Sequence, residues 1–103
     1  MPIFRVVPSN IAESDLAEIV DYLASRFSFE TASKYYSGIK KSIASLKEMP
    51  ERCPFVYDEE FRNKGYRWLS YNNYTIFFTI HSDKHIVVIR RIMYSGRDYT
   101  VLL

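Results

Sequence analysis

The sequence predicts an α+β protein of order β-α-α-β-β-β, in which a helical hairpin packs on one face of a small, twisted, mainly antiparallel sheet. Apolar residues recur at helical spacing between positions 10 and 49. The period then changes from 3.6 to 2 in three later runs, 65–71, 73–80 and 85–94. A short run rich in β-formers precedes the helices, so the first strand comes before the hairpin.

Length and composition narrow the class of protein. With 103 residues and 48% apolar composition, we expect one domain, residues 1–103, around one core. The single cysteine, Cys53, cannot form an intrachain disulfide, which is typical of a reducing compartment. His81 and His85 are isolated from other candidate ligands, so we expect no metal and no cofactor. Without an apolar run of membrane-spanning or signal-peptide length, we expect a cytoplasmic protein with no membrane partner.

The first strand and the first helix follow from local signals. The segment "IFRVV", residues 3–7, is short and β-rich, and Pro8 ends it. Asn10 and Glu13 form a capping-box pattern, which predicts a helix over roughly 10–27 with Asn10 as its N-cap. Its acidic residues are interpreted as a solvated face; they are Glu13, Asp15, Glu18 and Asp21.

A second helix begins after Ser28, which can cap it. Apolar residues follow at helical spacing, and Pro50 is predicted to stop the helix after Met49. Because only one or two residues connect the helices, they must form an antiparallel hairpin.

The remaining elements are a polar connection and a three-stranded meander. Pro54 and the acidic "DEE" argue against regular structure between the second helix and the next strand. Asn72-Asn73 and "HSDK" then separate the three predicted strands. The hairpin is expected to cover one sheet face and to leave the other free. The predicted core consists of Leu16, Ile19, Leu23, Ile39, Ile43, Leu46, Ile76, Phe78 and Val88.

The net charge of +2 is distributed unevenly. Residues 61–103 carry seven cations and two anions, interleaved with tyrosines and Trp68. This pattern is typical of a nucleic-acid or ribosomal surface, and equally of the solvated face of a small sheet.

Three arginines near the C-terminus are given different roles. Strand alternation predicts that Arg90 and Arg91 point to opposite faces, one as a structural anchor and one for binding. Arg91 is expected to be partly buried and paired, because apolar residues follow it. Arg97 comes after Gly96, where the chain can turn outward, so we expect it to be the most exposed, with Asp98 orienting it.

Five segments in this order resemble the RelE/ParE superfamily of type II toxin–antitoxin toxins: "DLAEIVDYL", "SLKEMPER", "GYRWL", "NYTIFF" and "VVIRRIMYSGRDY". The resemblance spans nearly the whole chain. It implies a small bacterial toxin, neutralised by an antitoxin whose C-terminal segment wraps around it, in a toxin–antitoxin hetero-oligomer.

Members of this superfamily have two different activities, and the resemblance is compatible with either. RelE-like members cleave mRNA on the ribosome with a cluster of basic groups, whereas ParE-like members poison DNA gyrase. Arg97 in "SGRD" matches the C-terminal arginine of the nucleases, and Arg67 in "GYRWL" matches a basic strand position. Thr75 and Leu69 stand where further basic residues would be, so half of the cationic set is missing. Tyr94 or Tyr99 could supply a phenol, and the candidate catalytic residues are therefore Arg67, Arg97, Tyr94 and Tyr99.

We interpret the chain as a ParE-like growth inhibitor that binds DNA gyrase and a cognate antitoxin. The alternatives are a RelE-like, metal-independent mRNA endoribonuclease acting on the ribosome, and an inactive member that only binds its partner. The antitoxin is expected to lie in an apolar groove across the sheet and the hairpin, with acidic side chains facing the basic C-terminal half. The predicted partner-binding residues are Arg67, Arg90, Arg91, Arg97 and Tyr99.

Overall fold

A computed structural model describes residues 2–103. The chain forms a four-stranded sheet, a helical hairpin and two short helices. In chain order these elements are β1 (Arg5–Pro8), α1 (Asn10–Arg26), α2 (Phe29–Ala44), α3 (Glu59–Asn63), β2 (Arg67–Tyr71), β3 (Tyr74–His81), β4 (Ile86–Tyr94) and α4 (Tyr99–Leu102). The predicted β-α-α-β-β-β order is confirmed, with α3 and α4 as additions.

The sheet has the strand order β1-β4-β3-β2. Strands β2, β3 and β4 form the predicted antiparallel meander. Strand β1 adds to the edge of β4 in parallel, with Arg5 opposite Ile86 and Pro8 opposite Ile89. It therefore pairs with only the first half of β4. The outer edge of the second half of β4 lies beside α1 instead.

The start of α1 differs from the prediction by one residue. Ser9, not Asn10, is the N-cap, and its hydroxyl accepts the Ala12 N–H at 3.1 Å. Ser9 N–H also donates to Ile89 O, so the strand pairing extends to Ser9 and fixes where the helix begins. Ser28 caps α2 as predicted, by accepting the Thr31 N–H.

Helix α2 ends at Ala44, earlier than the predicted Met49. The chain continues in a 3-10 turn over Ser45–Lys47, because Lys47 O accepts the Phe4 N–H beside the first strand. Arg52 then closes this end: its guanidinium donates to Ser45 O, Glu48 O and Met49 O. Pairing with the N-terminal segment, rather than Pro50, stops the helix.

The connection before β2 is more regular than predicted. A second 3-10 turn spans Pro50–Arg52, and the acidic "DEE" builds α3. Asp58 caps α3 by accepting the Phe61 N–H, and Glu59 and Glu60 lie in its first turn, where carboxylates favour a helix. The expectation of irregular structure here is wrong.

A β-bulge changes which face the residues of β4 occupy. Phe77 pairs with Arg91 and Phe78 pairs with Ile89, so Arg90 is the extra residue. Such a bulge interrupts the alternation of side chains. Val87 and Ile89 therefore belong to the core under the hairpin, while Val88 is only half-buried. The prediction of Val88 as a core residue is wrong.

The main core lies between the hairpin and the first sheet face. Six predicted core residues are buried there: Leu16, Leu23, Ile39, Leu46, Ile76 and Phe78. Ile19 and Ile43 are partly buried and pack against this core. Gly38 lets α2 approach β2 closely, because a Cβ at this position would overlap the ring of Tyr71.

The second sheet face is not free, contrary to the prediction. A smaller apolar cluster of Val56, Phe61, Phe77 and Met93 is buried on it. Residues from the connection, from β2 and from the C-terminal segment pack around this cluster, among them Trp68, Tyr99 and Leu102. None of the helices within residues 2–103 combines the length and the apolar character needed to cross a bilayer.

Candidate functional site

Arg91 is partly buried and paired, as predicted. Its Nε donates to Asp15 Oδ2 at 2.8 Å and its Nη2 to Asp15 Oδ1 at 3.1 Å, a bidentate ion pair with α1. Its Nη1 donates to Leu102 O at 2.6 Å. The hydrogen bond to Asp15 raises the pKa of Arg91, so the guanidinium stays charged. Arg91 joins α1, β4 and the C-terminal helix.

Asp15 also completes the open edge of β4. Its Oδ2 accepts the Ile92 N–H at 2.9 Å, where β1 no longer pairs with β4. The interpretation of Asp15 as part of a solvated helix face is wrong. Asp15 is three residues after Ala12 and four before Ile19, so it lies on the side of α1 that faces the sheet. This spacing is the feature of the sequence that could have predicted a buried Asp15.

Arg90 lies on the same side of the sheet as Arg91. Its Nε donates to Thr79 Oγ1 at 3.0 Å, and its Nη2 lies 3.5 Å from His81 Nε2. The prediction that the two arginines point to opposite faces is wrong, because the bulge at Arg90 breaks the alternation. Both are held by protein groups.

Arg67 is held by the connection before β2. Its Nη1 donates to Cys53 O at 2.7 Å and to Glu51 O at 3.1 Å. The guanidinium carbon lies 3.8 Å from the centre of the Phe55 ring. Beside it, burial raises the pKa of the Cys53 thiol. This geometry gives Arg67 a structural role, and its predicted part in binding or catalysis stays a prediction.

Arg97 is the exposed arginine of the C-terminal region. Its main-chain N–H donates to Tyr94 O, while its guanidinium has no hydrogen bond or ion pair to residues 2–103. Asp98 does not orient it as expected. Instead, Asp98 caps α4 by accepting the Thr100 N–H and hydroxyl.

The two candidate tyrosines differ in exposure. Tyr94 is 50% exposed, and its ring lies 6.0 Å from that of Tyr74. The hydroxyl of Tyr99 accepts the Asp58 N–H at 3.0 Å, and its ring packs 5.1 Å from that of Phe77. Tyr99 therefore helps to fasten the C-terminal helix to the sheet, and Tyr94 is free to make contacts.

A depression that we call the hairpin groove lies between the tip of the hairpin, the start of β3 and the end of β4. It measures about 720 Å³. Its lining includes Glu18, Ile19, Tyr22, Tyr35, Tyr94 and Arg97. Tyr22 is 52% exposed and Phe27, at the hairpin tip, is 66% exposed, so the groove presents aromatic surface to solvent.

A smaller sheet cleft of about 200 Å³ lies on the second face next to Arg97. Five of the ten described residues that line it are aromatic. Thr75 and Ser95, which also line it, are joined by a 2.8 Å hydrogen bond. Among the described residues that line it there is no histidine, aspartate or glutamate. Across residues 2–103, no three His, Cys, Asp or Glu side chains lie close enough together to hold a metal ion.

The geometry thus brings together only part of the predicted set. Arg97 and Tyr94 line both the hairpin groove and the sheet cleft, and Tyr99 lines the cleft. Arg91 reaches the groove through its ion pair with Asp15, whereas Arg67 and Arg90 line neither space. Tyr22 and Phe27 are not among the predicted binding residues, because an aromatic residue within a helical hairpin is more often a packing residue than part of a site.

This arrangement of hairpin and sheet occurs in solved toxin–antitoxin systems. The chain is similar to a protein of the chromosomal ParDE TA system from P. aeruginosa, with a TM-score of 0.74 and 19% identity over 89% of this chain and 96% of that one. It is also similar to a protein of the toxin–antitoxin complex RelBE2 from Mycobacterium tuberculosis, with a TM-score of 0.63 and 16% identity over 89% of this chain and 98% of that one. No curated protein matches the sequence significantly.

These likenesses show the fold; a match to a family model supplies the family and confirms the resemblance to the RelE/ParE superfamily. A family model described as "ParE toxin of type II toxin-antitoxin system, parDE" matches residues 6–99. The chain belongs to this family of ParE toxins. It is a toxin of a type II toxin–antitoxin system.

Proposed function

We propose that this toxin, acting as a single domain, inhibits growth by binding DNA gyrase, and that a cognate antitoxin neutralises it by occupying the hairpin groove. One observation carries the proposal: an open groove with exposed aromatic side chains lies beside the Arg97 guanidinium, which no group within residues 2–103 holds. Exposed aromatic surface next to an uncompensated charge is typical of a protein-binding site. Gyrase as the target is what membership of the ParE family implies.

The sheet cleft supports binding rather than RNA cleavage. General acid–base catalysis needs a titratable group within hydrogen-bond reach of the reacting atoms. Among the described residues that line the cleft around Arg97 there is no imidazole or carboxylate, and the candidate acids are the phenols of Tyr94 and Tyr99. The Tyr99 hydroxyl already accepts the Asp58 N–H, which leaves the Tyr94 phenol as the single candidate. His81 and His85 lie at the opposite end of β3 and β4, beside the connecting turn. These features favour the gyrase-directed interpretation over the endoribonuclease.

The first experiment tests the target. Purified toxin is added to gyrase supercoiling reactions, and total RNA is examined in cells that express the toxin. We expect loss of supercoiling and accumulation of gyrase–DNA cleavage complexes, with intact mRNA. Ribosome-dependent mRNA fragments without any effect on gyrase would instead establish the RelE-like alternative. A folded protein that leaves growth unchanged would identify an inactive member that only binds its partner.

The second experiment tests the antitoxin and the groove. The product of the neighbouring reading frame is titrated with wild-type toxin and with Arg97→Glu, which reverses the free charge at the groove. The control is Arg5→Glu, because Arg5 is also exposed and lines neither the groove nor the cleft. We expect Arg97→Glu to weaken binding about tenfold and high salt to weaken the wild-type complex, since rim charges act through screened electrostatics. Equal affinity for both variants at all salt concentrations would remove Arg97 from the interface.

A further inference from the structure

The half of the second sheet face that lies next to the turn between β3 and β4 is open. The strand register places there a set of residues that we call the cationic face: Arg5, Val7, His81, Ile86, Val88 and Arg90. The apolar cluster on this side of the sheet surrounds Phe77 and Met93, and the two core clusters of residues 2–103 do not include Val7, Ile86 or Val88. Arg5 and His81 are exposed and Arg90 is half-buried, so a ligand can reach the cationic face.

Arg90 is held on this face by neutral groups. Its Nε donates to Thr79 Oγ1 at 3.0 Å and its Nη2 lies 3.5 Å from His81 Nε2, while its Nη1 makes no hydrogen bond to residues 2–103. No carboxylate of these residues lies within ion-pair distance of it, whereas the neighbouring Arg91 is paired with Asp15. Because the bulge turns Arg90 onto this face without a counter-charge, its guanidinium is available to an anion.

The charge of the cationic face is not compensated by its surroundings. Arg5 also has no ion-pair partner within the described residues. The adjoining turn contains Asp83 and Lys84, whose charges offset each other. Strand β4 lies between β1 and β3, so the main chains at Arg5 and His81 are about 10 Å apart, two strand spacings. The face therefore presents two guanidinium groups and an imidazole over a distance of about 10 Å.

The composition of the cationic face fits the backbone of a duplex better than a protein or a single strand. Its members include no phenylalanine, tyrosine or tryptophan. Aromatic anchors contribute much of the affinity at protein interfaces, and single strands stack their bases on aromatic rings. A guanidinium, by contrast, matches the oxygens of a phosphate. At a rise of about 3.4 Å per nucleotide, three steps of one DNA strand cover the distance between the two ends of the face.

We propose that the cationic face binds the phosphate backbone of duplex DNA, so that the toxin contacts the DNA on which gyrase acts as well as gyrase itself. This inference rests on the proposed function, in which gyrase is the target. Arg5 and Arg90 each bind a phosphate group, and His81 is placed beside Arg90 to donate to the same anion. Such contacts position the toxin on DNA without reading its sequence. The site is separate from the sheet cleft, whose lining includes none of these three residues.

The test titrates a labelled DNA duplex with the full-length toxin at several salt concentrations. Arg5→Gln/Arg90→Gln removes both charges of the face. Lys34→Gln/Lys41→Gln is the matched control, because both lysines are exposed on α2, which belongs to the hairpin on the other side of the sheet. Each lost phosphate contact lowers the slope of log K against log salt by about 0.9, so we expect the first variant to lower it by about 2 and the control to leave it unchanged.

A single variant guards against a loss of folding. Arg5→Gln should lower the slope by about 1, and the Arg5 side chain makes no hydrogen bond to residues 2–103 that the substitution could break. Far-UV circular dichroism and thermal unfolding verify that all variants are folded. In gyrase supercoiling reactions, the Arg5/Arg90 variant should require about tenfold more toxin than the control for the same inhibition.

The outcomes separate this inference from the proposed function. Equal salt slopes for the two double variants would overturn the inference, as would failure of the wild-type toxin to bind the duplex at low salt. Selective loss of DNA binding by the Arg5/Arg90 variant, in a toxin that leaves gyrase unaffected, would support the DNA site and show that the proposed target is wrong. Loss of antitoxin binding by this variant, with DNA binding unchanged, would identify a protein-binding surface instead and overturn the inference.

Discussion

The carboxylate of Asp15 joins α1 to β4, two elements that are distant in sequence. It forms the bidentate pair with Arg91 and accepts the Ile92 N–H of the unpaired edge of β4. Its side chain is only 11% exposed, and that of Arg91 is 22% exposed. Removal of one partner from a pair this well shielded leaves the other charge without compensation.

We therefore predict that alanine substitution of Arg91 lowers the stability of the protein and that alanine substitution of Arg97, six positions later, does not. Arg91→Ala should lower the free energy of unfolding by about 3 kcal/mol, because Asp15 loses its cation and Leu102 O loses its donor. Arg97→Ala should leave stability within about 0.5 kcal/mol of the wild type, because its guanidinium is exposed and has no partner in residues 2–103. Chemical denaturation measures both values.

Growth inhibition completes this comparison. A folded Arg97→Ala toxin should lose its activity in cells if Arg97 contacts the target, while Arg91→Ala should reduce activity only in proportion to its loss of folded protein. A stable and fully toxic Arg97→Ala variant would exclude Arg97 from the functional surface. A fully stable Arg91→Ala variant would show that the ion pair with Asp15 contributes little to folding.

At the scale of the element, the first helix shows how a strand determines where a helix begins. Ser9 belongs to both: its N–H bonds to Ile89 O, while its hydroxyl caps α1 and donates to Arg90 O at 3.1 Å. Serine and asparagine are about equally favoured as N-caps, so the capping-box pattern at Asn10 did not reveal the role of Ser9. The hydrogen bond from Ser9 N–H to Ile89 O fixes Ser9 as the N-cap.

This choice is testable with adjacent substitutions. Ser9→Ala should lower the free energy of unfolding by about 1 kcal/mol, the usual contribution of an N-cap. Asn10→Ala should have little effect or a slightly stabilising one, because Asn10 is an exposed residue within the first turn. Thermal or urea unfolding of the two variants measures the difference. Greater destabilisation by Asn10→Ala than by Ser9→Ala would restore the predicted capping box.

At the scale of the whole molecule, the C-terminal segment packs on the second face of the sheet and helps to complete the fold. Tyr99 packs on Phe77 and accepts the Asp58 N–H, and Leu102 belongs to the cluster around Met93. The segment thereby covers the second face, which the alternating strand pattern alone would leave open.

Deletion of residues 98–103 should therefore expose this cluster. Trp68 is the single tryptophan of the chain and packs against the same cluster, so its emission should shift to longer wavelength. The free energy of unfolding should fall by about 2 kcal/mol or more through lost apolar burial. Val101→Ala is the control, because this residue of the same helix is 78% exposed and should change neither quantity. Unchanged emission and stability in the deletion variant would show that the segment does not cover the cluster in solution.

The sequence by itself determined the order of the main elements, because helical and alternating periods are local properties of the chain. It also identified most of the core, and it distinguished the paired Arg91 from the exposed Arg97 through their neighbours. The tertiary structure alone decided the faces of β4, since the bulge at Arg90 arises from pairing between strands and leaves no mark in the alternation. It likewise decided the role of Asp15, the cover on the second face and the hairpin groove, because each depends on contacts between residues far apart in the chain.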